Sequence, residues 1–552
     1  MAGWYDYPAL EPYKLDRHLP LNHAWVVANT SISDVDIYSR REDCYECQYE
    51  LHKSLKSNKP ASWMVDSSSQ VTWLVMRSKQ GRPTSDMTKK SWLCEMRPTF
   101  HEGGIYRLDV GDCEIKPEIP VPWTSLSLLA SILILLVTCT IYTFARFMYN
   151  RKQQREKASH GKALEASNEN DEQNPALNVF KGILMSMIIF VTTGGGGYAF
   201  LTAPKSGITL AEGLLYMYVW SIGVNIPTFM DKAFRENTKC HIFRDIFVRA
   251  LILVFMGTTI DSIVAYQMFS ISLWCPLQKI GIAYLIVATA YVLTVQRFEM
   301  KSKKIICKAI KNLISLLWIW IIAGFLIAIF IILTSTFVSF NCLSNTSLQY
   351  KRPSFWTPPP PETQNCNNHV SEYANKILVG QSKKTVDVHR FIAFTGGAMG
   401  ILSTILIMMI GLKSGVVYLQ HQAHSDRLKL WGLWATLFGL GGTCFAVVTY
   451  PLEFNLWPLS SIQLIGVAAM CIFSLIYVIT EVWRFNSYIL SSLGISSLVV
   501  LCGHVLFSGS IPFRWGIVLD NHVMFLLQNY WIILLWIVIG IALRRRNVHF
   551  EI

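Results

Sequence analysis

Residues 182–201 read GILMSMIIFVTTGGGGYAFL, an apolar run of membrane length that gives way to four consecutive glycines, Gly194 to Gly197. Glycine inside a helix costs about 1 kcal/mol against alanine, so four together weaken the span where it leaves the bilayer. The helix is expected to loosen there and let backbone approach a ligand or another helix.

The rest of the chain agrees with a membrane reading. Of its 552 residues 52% are hydrophobic and only 15% charged, and 18 are tryptophan, too apolar for an ordinary soluble protein. At about 20 apolar residues per spanning helix, about eleven spans are expected. They begin near Leu126, Ile183, Leu210, Ile246, Leu273, Leu313, Phe391, Trp431, Leu459, Tyr488 and Val523. The fold class is an all-α polytopic membrane protein with a small N-terminal lumenal β-rich domain. An odd number of spans puts the termini on opposite sides.

Lys and Arg gather on the cytosolic face of membrane proteins. Arg151, Lys152, Arg155 and Lys157 follow the first span, and Lys232, Arg235, Lys239 and Arg244 separate the third from the fourth. Arg297, Lys301, Lys303, Lys304, Lys308 and Lys311 separate the fifth from the sixth, and Arg544 to Arg546 close the last. All fall on one face, which places the N-terminus in the lumen and the C-terminus in the cytosol. They also account for much of the net charge of +13 without nucleic acid, since no basic patch carries interleaved aromatics.

The glycosylation sequons at Asn29 and Asn345 fall on the lumenal side, as do Cys44, Cys47, Cys94, Cys113, Cys342 and Cys366. Their even number suits disulfides in an oxidising compartment, with connectivity open. Zinc at Cys44 and Cys47 lacks a matching CxxC or His pair, so no metal is expected.

The domain expectation is a lumenal β-rich unit over 1–122, a first span over 123–148, a disordered cytosolic linker over 149–176, a ten-helix membrane domain over 177–543 with a lumenal loop at 339–389, and a cytosolic tail over 544–552. Strands are expected at Val71–Met76 and Gly104–Leu108. The opening MAGWYDYPALEPYK lacks the apolar core of a secretory signal, so the first span is expected to translocate the domain unless the true start lies upstream.

Motifs in order along the chain resemble the heparan-α-glucosaminide N-acetyltransferase family. They are Phe190, Val191 and Gly194 to Gly196, then Ile208, Thr209, Ala211 and Glu212, Pro276 to Gly281, Leu456-Trp457 with Leu459-Ser460, Gly503-His504, and Pro512 to Trp515. The resemblance implies a lysosomal multi-pass membrane protein that moves acetyl from cytosolic acetyl-CoA to a lumenal amino sugar of heparan sulfate. It implies ligand contacts at Gly194, Gly195, Gly196, Gln278, Lys279, Trp457 and Ser460, with a homodimer as an option. Lys279 would meet a CoA phosphate or pair with Glu212 or Asp261.

The catalytic pattern departs from the family. The lumenal-loop histidine is replaced by Thr202 or Ala203, neither of which can serve as an imidazole base or acetyl carrier. The family's asparagine before the glycines corresponds to Thr192, an acid to Asn178, and an Asp and a Glu to Gly397 and Met399. His504 near the lumenal end of the tenth span is the candidate substitute, since ionisable groups at membrane depth are functional candidates by default. The plain alternative is a histidine hydrogen-bonded between helices.

No soluble-enzyme motif competes, because the glycines lack a following Lys-Ser or Lys-Thr and there is no HExxH or GxSxG. The favoured reading is a diverged, catalytically impaired acetyltransferase homologue; the second is an active enzyme using His504. A transporter or receptor on the same scaffold is the third, against which a single glycine-interrupted span argues.

Overall fold

The computed structural model describes residues 13, 19–30, 34–41, 49–67, 71–78, 92–119, 125–159, 174–202, 210–236, 238–264, 276–294, 314, 316–337, 397–448, 459–485, 487–507, 510, 512–513, 515–516 and 521–546.

The N-terminal part is built from β1 (His23–Ala28), β2 (Val35–Arg41), β3 (Glu50–Leu55), β4 (Ala61–Asp66), β5 (Val71–Arg77), β6 (Cys94–Met96), β7 (Ile105–Asp109) and β8 (Glu114–Pro117). They form two four-stranded sheets, ordered β4-β1-β7-β8 and β3-β2-β5-β6, antiparallel except where β1 runs parallel to β7. Side chains alternate across a strand, so β4 turns Trp63 and Val65 inward and leaves Met64 outside. The sheets close over a shared core in which Trp73 lies 6.0 Å from Trp63 and 5.3 Å from Phe100. Central β1 is buried on both faces: Ala24, Val26 and Ala28 join that core while Trp25 and Val27 pack with Leu19 and Ile105. Both expected strands are present, as β5 and β7.

Among the described residues the remainder is mainly helical: α1 (Leu126–Ser159), α2 (Pro175–Thr192), the one-turn α3 (Ala199–Thr202), α4 (Leu210–Glu236), α5 (Lys239–Val264), α6 (Pro276–Thr294), α7 (Leu317–Phe337), α8 (Gly397–Gln420), α9 (His424–Val448), α10 (Leu459–Tyr477), α11 (Tyr488–Ile495), α12 (Ser497–Phe507) and α13 (His522–Arg545). Among the described residues α2, α6, α8, α10 and α13 are long and apolar enough to cross a membrane, and the pair α11 and α12, bent by 75°, makes a sixth if counted as one span. α1 continues to Ser159, through the first residues of the stretch expected to be a disordered linker. Arg, Lys, Gln, Glu and Ala after residue 150 are good helix formers with no Gly or Pro among them, so the helix outlasts its apolar part.

Lipid tails are as apolar as leucine, so helices associate in a membrane by close packing and small residues rather than by hydrophobic exclusion. α4 and α8 meet along such a seam. A Cβ on Gly223 would strike the Met408 carbonyl, and one on Gly411 or Gly415 would strike the carbonyl of Trp220 or Val224. α2 and α11 repeat the device, with Gly182 against Leu490 and Gly494 against Asn178. Phe180, Trp220 and Phe473 then join α2, α4 and α10 edge-to-face, with centroids 5.6 to 5.7 Å apart.

Candidate functional site

α2 ends at Thr192, and the chain turns through the glycines instead of continuing. Gly194, Gly195, Gly196 and Gly197 have φ of 114°, 53°, 70° and 79°, a left-handed run that L side chains rarely adopt. Space is short as well. A Cβ on Gly196 would lie 2.6 Å from Leu526 Cδ2 of α13, and one on Gly197 2.8 Å from Leu21 Cδ1. The backbone approach expected from the sequence is therefore real, and its partners are α13 and the segment leading into β1.

Consecutive left-handed residues leave N–H groups converging without an intrahelical acceptor. Asn529, fully buried on α13, fills that position. In the amide orientation that satisfies its surroundings, its oxygen accepts from Gly195 N at 3.1 Å and Gly196 N at 2.7 Å, and its nitrogen donates to Thr193 O at 3.2 Å. Asn22 Nδ2 donates to the Gly197 carbonyl at 2.9 Å, tying the N-terminal domain to the same turn.

His522, the first residue of α13, sits over the turn. Its Nδ1 lies 2.9 Å from the Gly196 carbonyl, and its Nε2 lies 2.9 and 2.8 Å from the two oxygens of Glu102, in the loop between β6 and β7. The ring stacks on Tyr198 at 4.0 Å, with planes 5° apart.

His504 of α12 is buried, with Nε2 2.8 Å from Thr192 Oγ1. The missing side chain of Gly503 makes room for Trp536, whose ring a Cβ there would meet at 2.6 Å, and Trp536 in turn lies edge-on to His504. Thr192 Oγ1 also lies 2.8 Å from the Ile188 carbonyl and 3.1 Å from that of Ile189. The hydroxyl has one proton. Given to a carbonyl, it leaves the oxygen to accept from imidazole N–H; given to His504, it creates the contact of a hydroxyl with its base.

The other expected residues are scattered. Gln278 and Lys279 on α6 are both buried, Gln278 against Gly257 of α5 and Lys279 with its ammonium against Gly400 of α8. Neither the sequence reading nor the resemblance singled out Lys413 of α8, a second buried lysine whose Nζ lies 4.2 Å from the Trp434 ring centroid. At the far ends of α8, α9 and α10, Arg427 Nη1 donates to Tyr477 Oη at 2.8 Å, and Tyr418 Oη donates to Glu481 at 3.1 Å.

Asn29 is exposed at the end of β1. Cys94 of β6 and Cys113 of the β7–β8 turn stand beside each other as thiols, and burial with that contact pushes the Cys94 thiol pKa up. Ala203, Trp457, Asn345, Cys44, Cys47, Cys342 and Cys366 lie outside the described residues, as do the side chains of Thr202, Glu212, Asp261, Gly397, Met399 and Ser460. Among the described residues no cluster of His, Cys, Asp or Glu has the grouping of a metal site.

No family model matches the chain. It is similar to the heparan-alpha-glucosaminide N-acetyltransferase of Homo sapiens, 22% identical over 622 residues that cover 99% of this chain and 91% of that protein. The protein of the same name from Mus musculus is 21% identical over 612 residues, covering 98% of this chain and 89% of the relative. The likeness spans the β domain and the helices alike, at a distance that supports an acetyltransferase-like membrane protein and leaves individual roles to the residues.

Proposed function

We propose that this chain is a diverged, catalytically impaired homologue of the heparan-α-glucosaminide N-acetyltransferases, residing in the lysosomal membrane. About eleven spans keep the N-terminal domain lumenal and the tail cytosolic, and retain a transmembrane site for acetyl-CoA and an amino sugar. The observation that carries this reading is the saturation of the glycine turn. The Gly195 and Gly196 N–H groups, which would otherwise offer donors to a substrate oxygen, are held by Asn529. The position of the lumenal-loop histidine is occupied by Thr202 or Ala203, so neither an imidazole from that loop nor free turn donors support acetyl transfer.

A second reading rests on the 2.8 Å contact of Thr192 Oγ1 with His504 Nε2. That distance lies within reach for a hydroxyl nucleophile and its base, and would make the chain an active acyltransferase.

The deciding experiment is acetyl transfer from labelled acetyl-CoA to a glucosaminide by membranes of cells that lack the ordinary enzyme. Glycosylation at Asn29 and Asn345 would serve as the check on folding. The proposed reading expects no transfer above the empty-vector level while CoA binding persists. Transfer that disappears in His504→Ala would establish the second reading instead.

A further inference from the structure

Both nitrogens of His522 face acceptors: Nδ1 the Gly196 carbonyl at 2.9 Å, Nε2 the Glu102 carboxylate at 2.8 and 2.9 Å. A neutral imidazole carries one N–H, so in that form one nitrogen would set a lone pair against an oxygen. Only the doubly protonated ring donates to both. The pair is shielded, with His522 and Glu102 side chains 8% and 14% exposed, so water offers little substitute for a lost contact.

These contacts join three distant pieces of chain: the loop between β6 and β7, the glycine turn, and the start of α13. Glu102 Oε1 also accepts from Asn22 N at 3.0 Å, and Asn22 Nδ2 donates to the Gly197 carbonyl, so one carboxylate holds both residues that bond the turn, His522 and Asn22.

Among the described residues the ionisable groups around the ring are few. From the N-terminal domain Glu102 is the charge acting on it. From the segment after the turn Tyr198 stacks on it, with its hydroxyl directed to Ser127 and Leu128 of α1. His23 turns Nδ1 to the Leu21 carbonyl, and His101, beside Glu102, uses its backbone N–H on Tyr106 Oη. α13 itself places Asn529 and Leu526 against the turn, neither of them charged.

We infer that Glu102 and His522 form an acid-locked joint, in which a protonated imidazole clamps the N-terminal domain onto the glycine turn and loss of its proton loosens the clamp. The stacked Tyr198 face favours the charged ring. The joint is closed at acidic pH and loosens as pH rises through the titration of His522, which, against the lowering effect of burial, the Glu102 carboxylate raises above the ordinary histidine value, so the clamp is tighter in an acidic lumen than in a neutral one. It does not depend on whether the chain transfers acetyl.

The test is hydrogen exchange of the full-length protein in lipid nanodiscs at about pH 5.5 and about pH 8.5, a window that reaches well above the ordinary histidine range because Glu102 raises the pKa of His522. Labelling times are scaled for the intrinsic pH dependence of exchange. After scaling, peptides covering residues 193–198 and 100–104 are expected to exchange faster at the higher pH, by up to about tenfold per pH unit, the linkage of one proton. Equal scaled protection of the wild-type protein at the two pH values overturns the inference and requires no variant. His522→Gln, which cannot titrate, is expected to abolish the pH difference, and Glu102→Gln to shift it to lower pH. A His522→Gln protein that keeps the wild-type difference also overturns it.

Discussion

Glycine serves two opposite purposes in this molecule. Along the α4–α8 seam Gly223, Gly411 and Gly415 are ordinary helical residues whose missing side chains let two backbones touch. In the turn after α2 the four glycines take left-handed φ, and at Gly194 nothing lies within 4 Å of where a Cβ would go. The seam depends on space, whereas Gly194 depends on conformation alone. A side chain therefore damages the seam by forcing helices apart, and damages Gly194 by straining one residue.

That contrast orders three substitutions. Gly411→Leu drives a side chain into the Trp220 carbonyl and should have the largest effect, about 3 kcal/mol or more from overpacking. Size-exclusion profile and thermal melting in detergent would check it, and a wild-type profile would show that the seam yields more easily than its geometry implies.

Asn529→Leu removes the acceptor for two turn N–H groups and should cost roughly 2 kcal/mol, read as a lowered Tm. An unchanged Tm would mean that water takes over the turn, which would detach the glycine run from α13 as a cause of its shape. Gly194→Ala should be the mildest, about 1 kcal/mol of left-handed strain with no steric clash. Destabilisation by Gly194→Ala as large as by Gly411→Leu would erase the distinction between the two regions.

Much of this architecture was legible in the sequence. β5 and β7 appear where the β-rich runs Val71–Met76 and Gly104–Leu108 stood, because alternation of apolar side chains is a local property. The glycine run marked the true end of α2 for the same reason. His504 was recognisable as an ionisable residue within an apolar run, and the structure sets it 2.8 Å from Thr192 Oγ1 on another helix, a contact that both of its readings share.

Glu102, His522 and Asn529 were not legible. Glu102 resembles any surface carboxylate of a β domain, and His522 resembles a polar residue at a helix start. They are 420 positions apart, and no spacing rule links a loop between strands to the last membrane helix. Lys413 was missed because a single lysine within an apolar run leaves the local pattern intact.

Sequence by itself determined the apolar helices, the β-rich N-terminal domain and the break after Thr192, because burial periodicity and glycine's backbone freedom act over a few neighbouring residues. Tertiary structure alone decided what the break is for. Bringing Asn529, His522, Glu102 and Asn22 onto four glycines requires the N-terminal domain and α13 to be in place, and hydrogen bonds of 2.7 to 3.1 Å exist only once those parts have met.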